Sequence, residues 1–279
     1  MEEIINGKAI YTPKGAALEY GRVGCNFYTG CPNDCLYCYL KRGAPSKQLG
    51  GTEVKLKKCF KDEEHAFYTF RREVSMHLDT LRQTGIFFSF TTDPMIPETI
   101  NLTMWALEYC IANGIPAKTL SKNAIWVEAP GMGNLFHKIK DANADIRFGF
   151  TLTGCDDMEP NASTNEARIE AMAKLKKFGL QTWASIEPVI DWSRSLHVVE
   201  HSLFYCDHYK IGLRSGVKKD YYEGQSALRY ATFLKQIILD VGDTVYFKES
   251  IRKLIAQTCP KGTLEELLLD TCKQETTNE

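Results

Sequence analysis

Apolar and polar residues follow two different periods along this chain, and the switches between them mark its elements. Runs at 86–90, 116–120, 147–153, 181–186 and 208–213 have strand character, and a shorter run at 25–28 (CNFY) precedes them. A further run at 244–247 (TVYF) reads as an extra strand. Helical spacing fills the intervals. Over 62–83, Phe67, Phe70, Val74, Leu78 and Leu81 recur at intervals of three and four, which predicts an amphipathic helix. Helices are also predicted over 97–113, stopped by Asn113-Gly114, over 128–140, over 164–178 between polar caps and Gly179, and over 224–240. From Gly262 the tail reads as one more helix and a polar end, KQETTNE.

Strand–helix alternation implies a parallel sheet with right-handed crossovers. Six such strands are too few to close an eight-stranded barrel. The expected architecture is therefore α/β, a partial (βα)6 TIM-type barrel of parallel strands surrounded by helices. It divides into a leader (1–24), the barrel domain (25–250) and a helical tail (251–279), with no internal repeat. Functional groups then belong at the C-terminal strand ends. Those ends are polar where the strands are not: Thr91-Thr92-Asp93, Ser121-Lys122, Thr151 and Thr153, Glu187, and Arg214-Ser215. Taken singly, Thr-Asp-Pro is an ordinary turn and Lys122 an ordinary loop lysine. Taken together, they line one mouth.

Composition narrows the class. The 279 residues are 44% hydrophobic and 25% charged, the balance of a globular protein with a sizeable core. A net charge of −1 gives no global positive field for nucleic acid and leaves only a local basic group. Arg214, Lys218 and Lys219 form one, either a phosphate contact or a solvated loop; Tyr221-Tyr222 beside it are either base-stacking or packing residues. No apolar run is long enough to span a membrane, no secretory signal opens the sequence, and the cysteines are scattered, so a cytoplasmic protein is expected.

Three of the ten cysteines are not scattered. Cys31, Cys35 and Cys38 stand in GCPNDCLYCYL with C-x3-C-x2-C spacing. Three thiolates so close can each hold one iron of a four-iron four-sulfur (4Fe-4S) cluster, leaving the fourth iron open for chemistry. The competing readings are zinc, with Cys25 as fourth ligand, and thiol redox chemistry. No second closely spaced cysteine pair is present to complete a zinc site.

The cysteine run, with Tyr37 just before its last cysteine, resembles the signature of the radical S-adenosylmethionine (SAM) superfamily. With SFTTDPMIPE (89–98), TLSKN (119–123) and EPNASTNEARIEAM (159–172), the chain resembles the spore photoproduct lyase-like branch over about 18–190. That resemblance implies a 4Fe-4S cluster on Cys31, Cys35 and Cys38, with SAM chelating the open iron. It further implies reductive cleavage of SAM to a 5′-deoxyadenosyl radical that abstracts hydrogen from substrate, and an electron donor such as flavodoxin or ferredoxin. A nucleobase in DNA or RNA is the leading substrate. The alternatives are a peptide or small metabolite for an enzyme of the same chemistry, or a non-catalytic zinc-binding module.

By the same resemblance, Thr92 and Asp93 contact SAM's ribose or amino group and Lys122 pairs with its carboxylate. Thr151 or Thr153 places the ribose, and Tyr37 lies beside the adenine or the cluster. Arg168 falls in the E…R patch, as a SAM contact or as partner of Glu159. Tyr39 matches a tyrosine near the radical path of the lyases, with aromatic packing as the competing reading. One departure stands out. The lyases carry a hydrogen-donating cysteine directly before the Thr-Ser-Asp stretch, and here that place is Phe90. Their thymine-dimer repair cycle therefore does not carry over. Cys155, just past a strand end, is the candidate substitute donor, against the reading of a buried inert thiol.

Overall fold

Ten strands are present in the computed structural model, which describes residues 3–43, 46–218 and 220–268. They are β1 (Ile10–Tyr11), β2 (Gly24–Cys25), β3 (Tyr28–Thr29), β4 (Lys55–Leu56), β5 (Ile86–Phe88), β6 (Ala117–Ser121), β7 (Ile146–Thr151), β8 (Gln181–Val189), β9 (His208–Leu213) and β10 (Thr244–Phe247). Lys219, Cys272 and the polar end lie outside the described residues. Eight strands make one sheet in the order β1-β2-β5-β6-β7-β8-β9-β10. From β2 to β10 the neighbours are parallel, and β1 pairs antiparallel with β2. The expected α/β partial barrel is the observed fold. It has seven parallel strands rather than six, because 244–247 joins the sheet edge beside β9.

The helices are α1 (Ser46–Leu49), α2 (Glu63–Met76), α3 (Leu78–Thr84), α4 (Ile100–Asn113), α5 (Met132–Asp141), α6 (Asn165–Lys177), α7 (Trp192–Ser202), α8 (Gly224–Asp240), α9 (Glu249–Thr258) and α10 (Thr263–Leu268). Side-chain caps start three of them. Asp62, Thr164 and Asp191 accept from the backbone N–H of His65, Ala167 and Arg194, each contributing about 1 kcal/mol. Helix α7 has no counterpart in the sequence reading; serines and histidines break up its apolar stripe, and only Val198 and Val199 are buried apolar positions on it.

Three boundaries moved for local reasons. The run 25–28 is split: Cys25 stays in the sheet, while Tyr28 pairs with Leu56 in a separate two-stranded ladder. The helix expected over 62–83 breaks at His77, whose ring bonds Glu3 at 2.7 Å. The helix expected from 128 begins at Met132, after Pro130-Gly131.

Large aromatics fill the space between sheet and helices. Phe148 and Phe150 on β7 pack on Trp126, with ring centroids 5.1 and 5.8 Å away, and Phe136 of α5 completes the group. Burying each such side chain stabilises the fold by about 1.5–3 kcal/mol. The leader is tied into this core. The buried carboxylate of Glu73 on α2 accepts from the backbone N–H groups of Lys8, Ala9 and Ile10 at 2.7–3.0 Å. Beyond β1, residues Gly15–Glu19 make a 3-10 turn reaching the far edge of the open sheet, where Lys210 donates to the Glu19 carbonyl and the Glu19 carboxylate accepts from Tyr246. No helix among the described residues is long and apolar enough to cross a membrane.

Candidate active site

A cavity of about 660 Å³ opens at the C-terminal ends of the strands, within the ~300–1,000 Å³ common for small-molecule sites. The cysteine loop forms one wall. Gly30 starts it at φ 80°, and a Cβ there would stand 2.0 Å from the Glu53 carbonyl oxygen, so only glycine fits. The loop's polar groups are then satisfied by protein. Cys31 N–H donates to Gly51, Leu36 N–H to Met158, and Asn161 to the Pro32 carbonyl. Lys41 binds the Asp34 carbonyl and carboxylate. What remains free is the sulfur atoms: Cys31, Cys35 and Cys38 all line the cavity as unpaired thiols.

Burial, and then the Asp93 carboxylate, pushes the Cys31 thiol up to about 12. Burial also raises Cys35, against the pull of Lys122. Such thiols keep their protons in the free protein, and a coordinated metal removes them outright. Among the described residues, no three His, Cys, Asp or Glu side chains gather around one point that a single ion could occupy. Cys25 sits fully buried on β2 and does not line the cavity. The donor set lining the cavity is three soft thiols with no imidazole, which is the ligand chemistry of an iron–sulfur cluster.

Asp93 organises the floor. Its carboxylate accepts from Met95 N–H, Ser121 Oγ, Lys122 N–H and Asn33 Nδ2, all at 2.8–3.0 Å. Those four bonds fill its acceptor sites, so Asp93 joins the cysteine loop to the ends of β5 and β6. Thr92 beside it is different. Its hydroxyl is buried at the cavity wall and has no hydrogen-bond partner. An orphaned hydroxyl of this kind calls for a ligand atom.

Lys122 also lines the cavity, with its ammonium 5.6 Å from the centre of the Tyr37 ring. Burial opposes its charge, but Cys35 and Glu159 outweigh burial and hold its pKa above the ordinary lysine value. Tyr37 is fixed from behind. Its hydroxyl donates to Glu159, which in turn accepts from Arg168 at 2.6 Å. Arg168 also donates to the Thr151 carbonyl at 2.7 Å, and both ion-pair partners are fully buried. Burial and the adjacent Glu159 carboxylate push the Tyr37 phenol well above its ordinary range.

The cavity thus gathers Cys31, Cys35, Cys38, Tyr37, Tyr39, Thr92, Asp93, Lys122 and Thr151. It does not gather Thr153, Cys155 or Arg168. Thr153 is buried, and its hydroxyl accepts from Cys155 N–H at 3.2 Å. Cys155 does not face the cavity, contrary to expectation for a substitute donor; its thiol meets Arg194 on the outside of the sheet ends. Arg168 takes the second of its two expected roles, as partner of Glu159. Tyr39 stands half-exposed at the mouth, its hydroxyl on the Phe90 carbonyl, and Phe90 itself lines the wall.

Two wall residues escaped the sequence reading. Tyr20 donates to Glu187 and bonds Ser185 Oγ at 2.8 Å; Lys248 pairs with Glu187 and stands 4.1 Å over the Tyr20 ring. For Lys248 the signal existed, since it ends the extra strand at 244–247. For Tyr20, in a leader without periodicity, none did.

No protein-family model matches the chain, and no curated protein matches it in sequence. Its three-dimensional structure is similar to that of spore photoproduct lyase complexed with dinucleoside spore photoproduct, with a TM-score of 0.63 at 14% identity over 85% of this chain and 80% of that one. A spore photoproduct lyase mutant with bound AdoMet and dinucleoside spore photoproduct aligns with a TM-score of 0.52 at 15% identity, over 77% of this chain and 60% of that one. Streptococcus suis SuiB aligns with a TM-score of 0.52 at 12% identity, over 78% of this chain and 46% of that one. The chain has the fold of spore photoproduct lyase, the branch its sequence motifs resemble.

Proposed function

We propose that this chain is a radical SAM enzyme that carries a 4Fe-4S cluster on Cys31, Cys35 and Cys38, binds SAM, and abstracts hydrogen from a nucleobase in DNA or RNA. The supporting observation is the cavity itself. Three unpaired thiols, a cationic Lys122 and an orphaned Thr92 hydroxyl face one space at the sheet's C-terminal edge. The chemistry the bound groups supply is one-electron reductive cleavage of the sulfonium to a 5′-deoxyadenosyl radical, with flavodoxin or ferredoxin as electron source.

The protein's part is placement. Lys122 offers a charge-assisted contact to a carboxylate, and Thr92 offers one hydroxyl to a ribose or amine. Asp93 holds both of them in register through the Lys122 N–H and its own backbone. The Arg168–Glu159–Tyr37 chain keeps the tyrosine ring beside the second and third cysteines. Phe87, Phe90 and Tyr20 make the opposite wall apolar, with ring centroids 4.6–6.4 Å apart, and exclude water from a reactive intermediate.

The test is anaerobic reconstitution with iron and sulfide, followed by reduction in the presence of SAM. The expected outcome is a brown protein with about four irons per chain that releases 5′-deoxyadenosine. Cys35→Ala should lose most of the iron and all product. A reduced, fully loaded protein that makes no 5′-deoxyadenosine would end the proposal. Retention of a full cluster by Cys35→Ala would end the ligand assignment.

A further inference from the structure

The cavity walls carry eight charged side chains, and most are accounted for. Asp34 pairs with Lys41, and Glu187 with Lys248. Asp93 is filled by four neutral donors. Lys122 faces the cysteines, and Lys14 is exposed at the rim. The eighth is Arg214, at the C-terminal end of β9. Its backbone N–H donates to the Tyr222 hydroxyl oxygen at 3.0 Å, which fixes where the side chain starts. The side chain itself has no carboxylate partner among the described residues, and its Nε–H is buried without any acceptor. A guanidinium brought half out of water and left uncompensated is costly. The planar fork of arginine matches an oxyanion, and in free protein nothing here supplies one.

Lys122 and Arg214 start from different strands. They end β6 and β9, which are three strand spacings apart in the sheet, or about 14 Å. The cavity wall therefore carries a cation at each of two strand ends, Lys122 after β6 and Arg214 after β9. The second is held in place by its surroundings: Arg42 donates to the Ser215 carbonyl at 2.7 Å, tying the segment after β9 to the end of the cysteine loop.

We infer that Arg214 is a substrate-recognition residue whose guanidinium, at the end of β9, binds a phosphodiester of the substrate. This rests on the proposed function for the identity of the site and deepens it by naming a charge the substrate must carry.

The test measures binding to the cluster-loaded protein with SAM present, using three probes: a dinucleoside monophosphate, the matching neutral nucleoside, and a short peptide with a single free carboxylate. Native protein should bind the dinucleoside monophosphate at least tenfold more tightly than the neutral nucleoside, and tighter binding of the peptide carboxylate would overturn the inference. Arg214→Gln should weaken the dinucleoside monophosphate by about 10- to 100-fold, leave the neutral nucleoside within about threefold, and Arg214→Lys should restore part of the loss. The melting temperature of Arg214→Gln should not fall, because the side chain holds nothing in the free protein. Equal loss for dinucleoside monophosphate and nucleoside, no loss for the dinucleoside monophosphate, or a loss of SAM affinity as large as its own would also overturn the inference. Failure of the parent reading is separable. In that case no 5′-deoxyadenosine forms, while Arg214-dependent anion binding is still measured.

Discussion

The two walls of the cavity are built at different ranges along the chain. On the cysteine side, several contacts are short in sequence and the longest are intermediate: Lys41 to Asp34 spans 7 residues, Arg168 to Glu159 spans 9, Lys122 N–H to Asp93 spans 29, Tyr37 to Glu159 spans 122 and Asn161 to Pro32 spans 129. On the other side, Tyr20 meets Ser185 across 165 residues and Tyr246 meets Glu19 across 227. The first wall is a set of contiguous motifs joined to one another by a few longer bonds. The second exists only because an open sheet leaves a gap that the segment Gly15–Glu19 and Tyr20 fill. The lesson is that a wall built from motifs can be read in local sequence, while a wall assembled by topology cannot.

Deleting one cation from each wall gives the largest contrast. Arg168→Met leaves Glu159 buried and charged with only the Tyr37 hydroxyl, at a cost of roughly 3–5 kcal/mol. Lys248→Met leaves Glu187 uncompensated too, but that side chain is 23% exposed and water from the cavity can solvate it. About 1–2 kcal/mol is expected there. Urea unfolding of the two iron-free variants measures the difference. Equal costs would mean the two walls do not differ in how their charges are buried, and the comparison would break.

The same division explains what could be read in the sequence. The parallel strands were visible because 86–90, 147–153 and 208–213 carry their own apolar signal, and the strand-end rule then pointed to Thr92, Asp93, Lys122 and Thr151. The cysteine spacing placed its three thiols on one loop, and they line the same cavity. Cys155 illustrates the limit. It sits past a strand end like the others, but Thr153 and Asn165 fold the chain so that the thiol turns away. Whether a residue faces inward depends there on hydrogen bonds made by its neighbours, which no spacing records. Helix α7 stayed hidden because serines occupy two of its four buried positions, Tyr20 because the leader has no periodicity, and Arg168 could only be assigned once Glu159 was seen beside it.

A medium effect comes from the opposite end of β9. His208 is buried against Thr244 Oγ1 at 2.6 Å, and burial, then Lys210, Lys118 and Arg147, lowers its pKa to about 3. The unfolded chain protonates this ring near pH 6.5, whereas the folded chain resists. Stability from this group is complete above pH 6.5 and is lost as pH falls toward 3. Asp243 nearby, raised to about 6 by burial and then by Asp207, works in the opposite direction over part of that range. Comparing native protein with His208→Asn isolates the histidine. At pH 4.5 the native protein should have lost roughly 2 kcal/mol more than the variant, relative to pH 7. Parallel pH profiles would show that the ring titrates freely, and would place the weak point of this wall elsewhere.

The finest test uses two threonines with the same defect. Thr92 and Thr119 both have buried hydroxyls without partners, but only Thr92 lines the cavity. Replacing either by valine removes an unsatisfied polar atom, so neither variant should lose stability, and a gain of up to about 1 kcal/mol is expected for each. Their effects on SAM binding should diverge. Thr92→Val should weaken SAM about five- to tenfold, the worth of one neutral hydrogen bond, while Thr119→Val should bind SAM as the native protein does. If both variants bind SAM equally well, the Thr92 orphan is a packing defect like that of Thr119. The cysteine-side wall would then be no more prepared for a ligand than the interior of the sheet behind it.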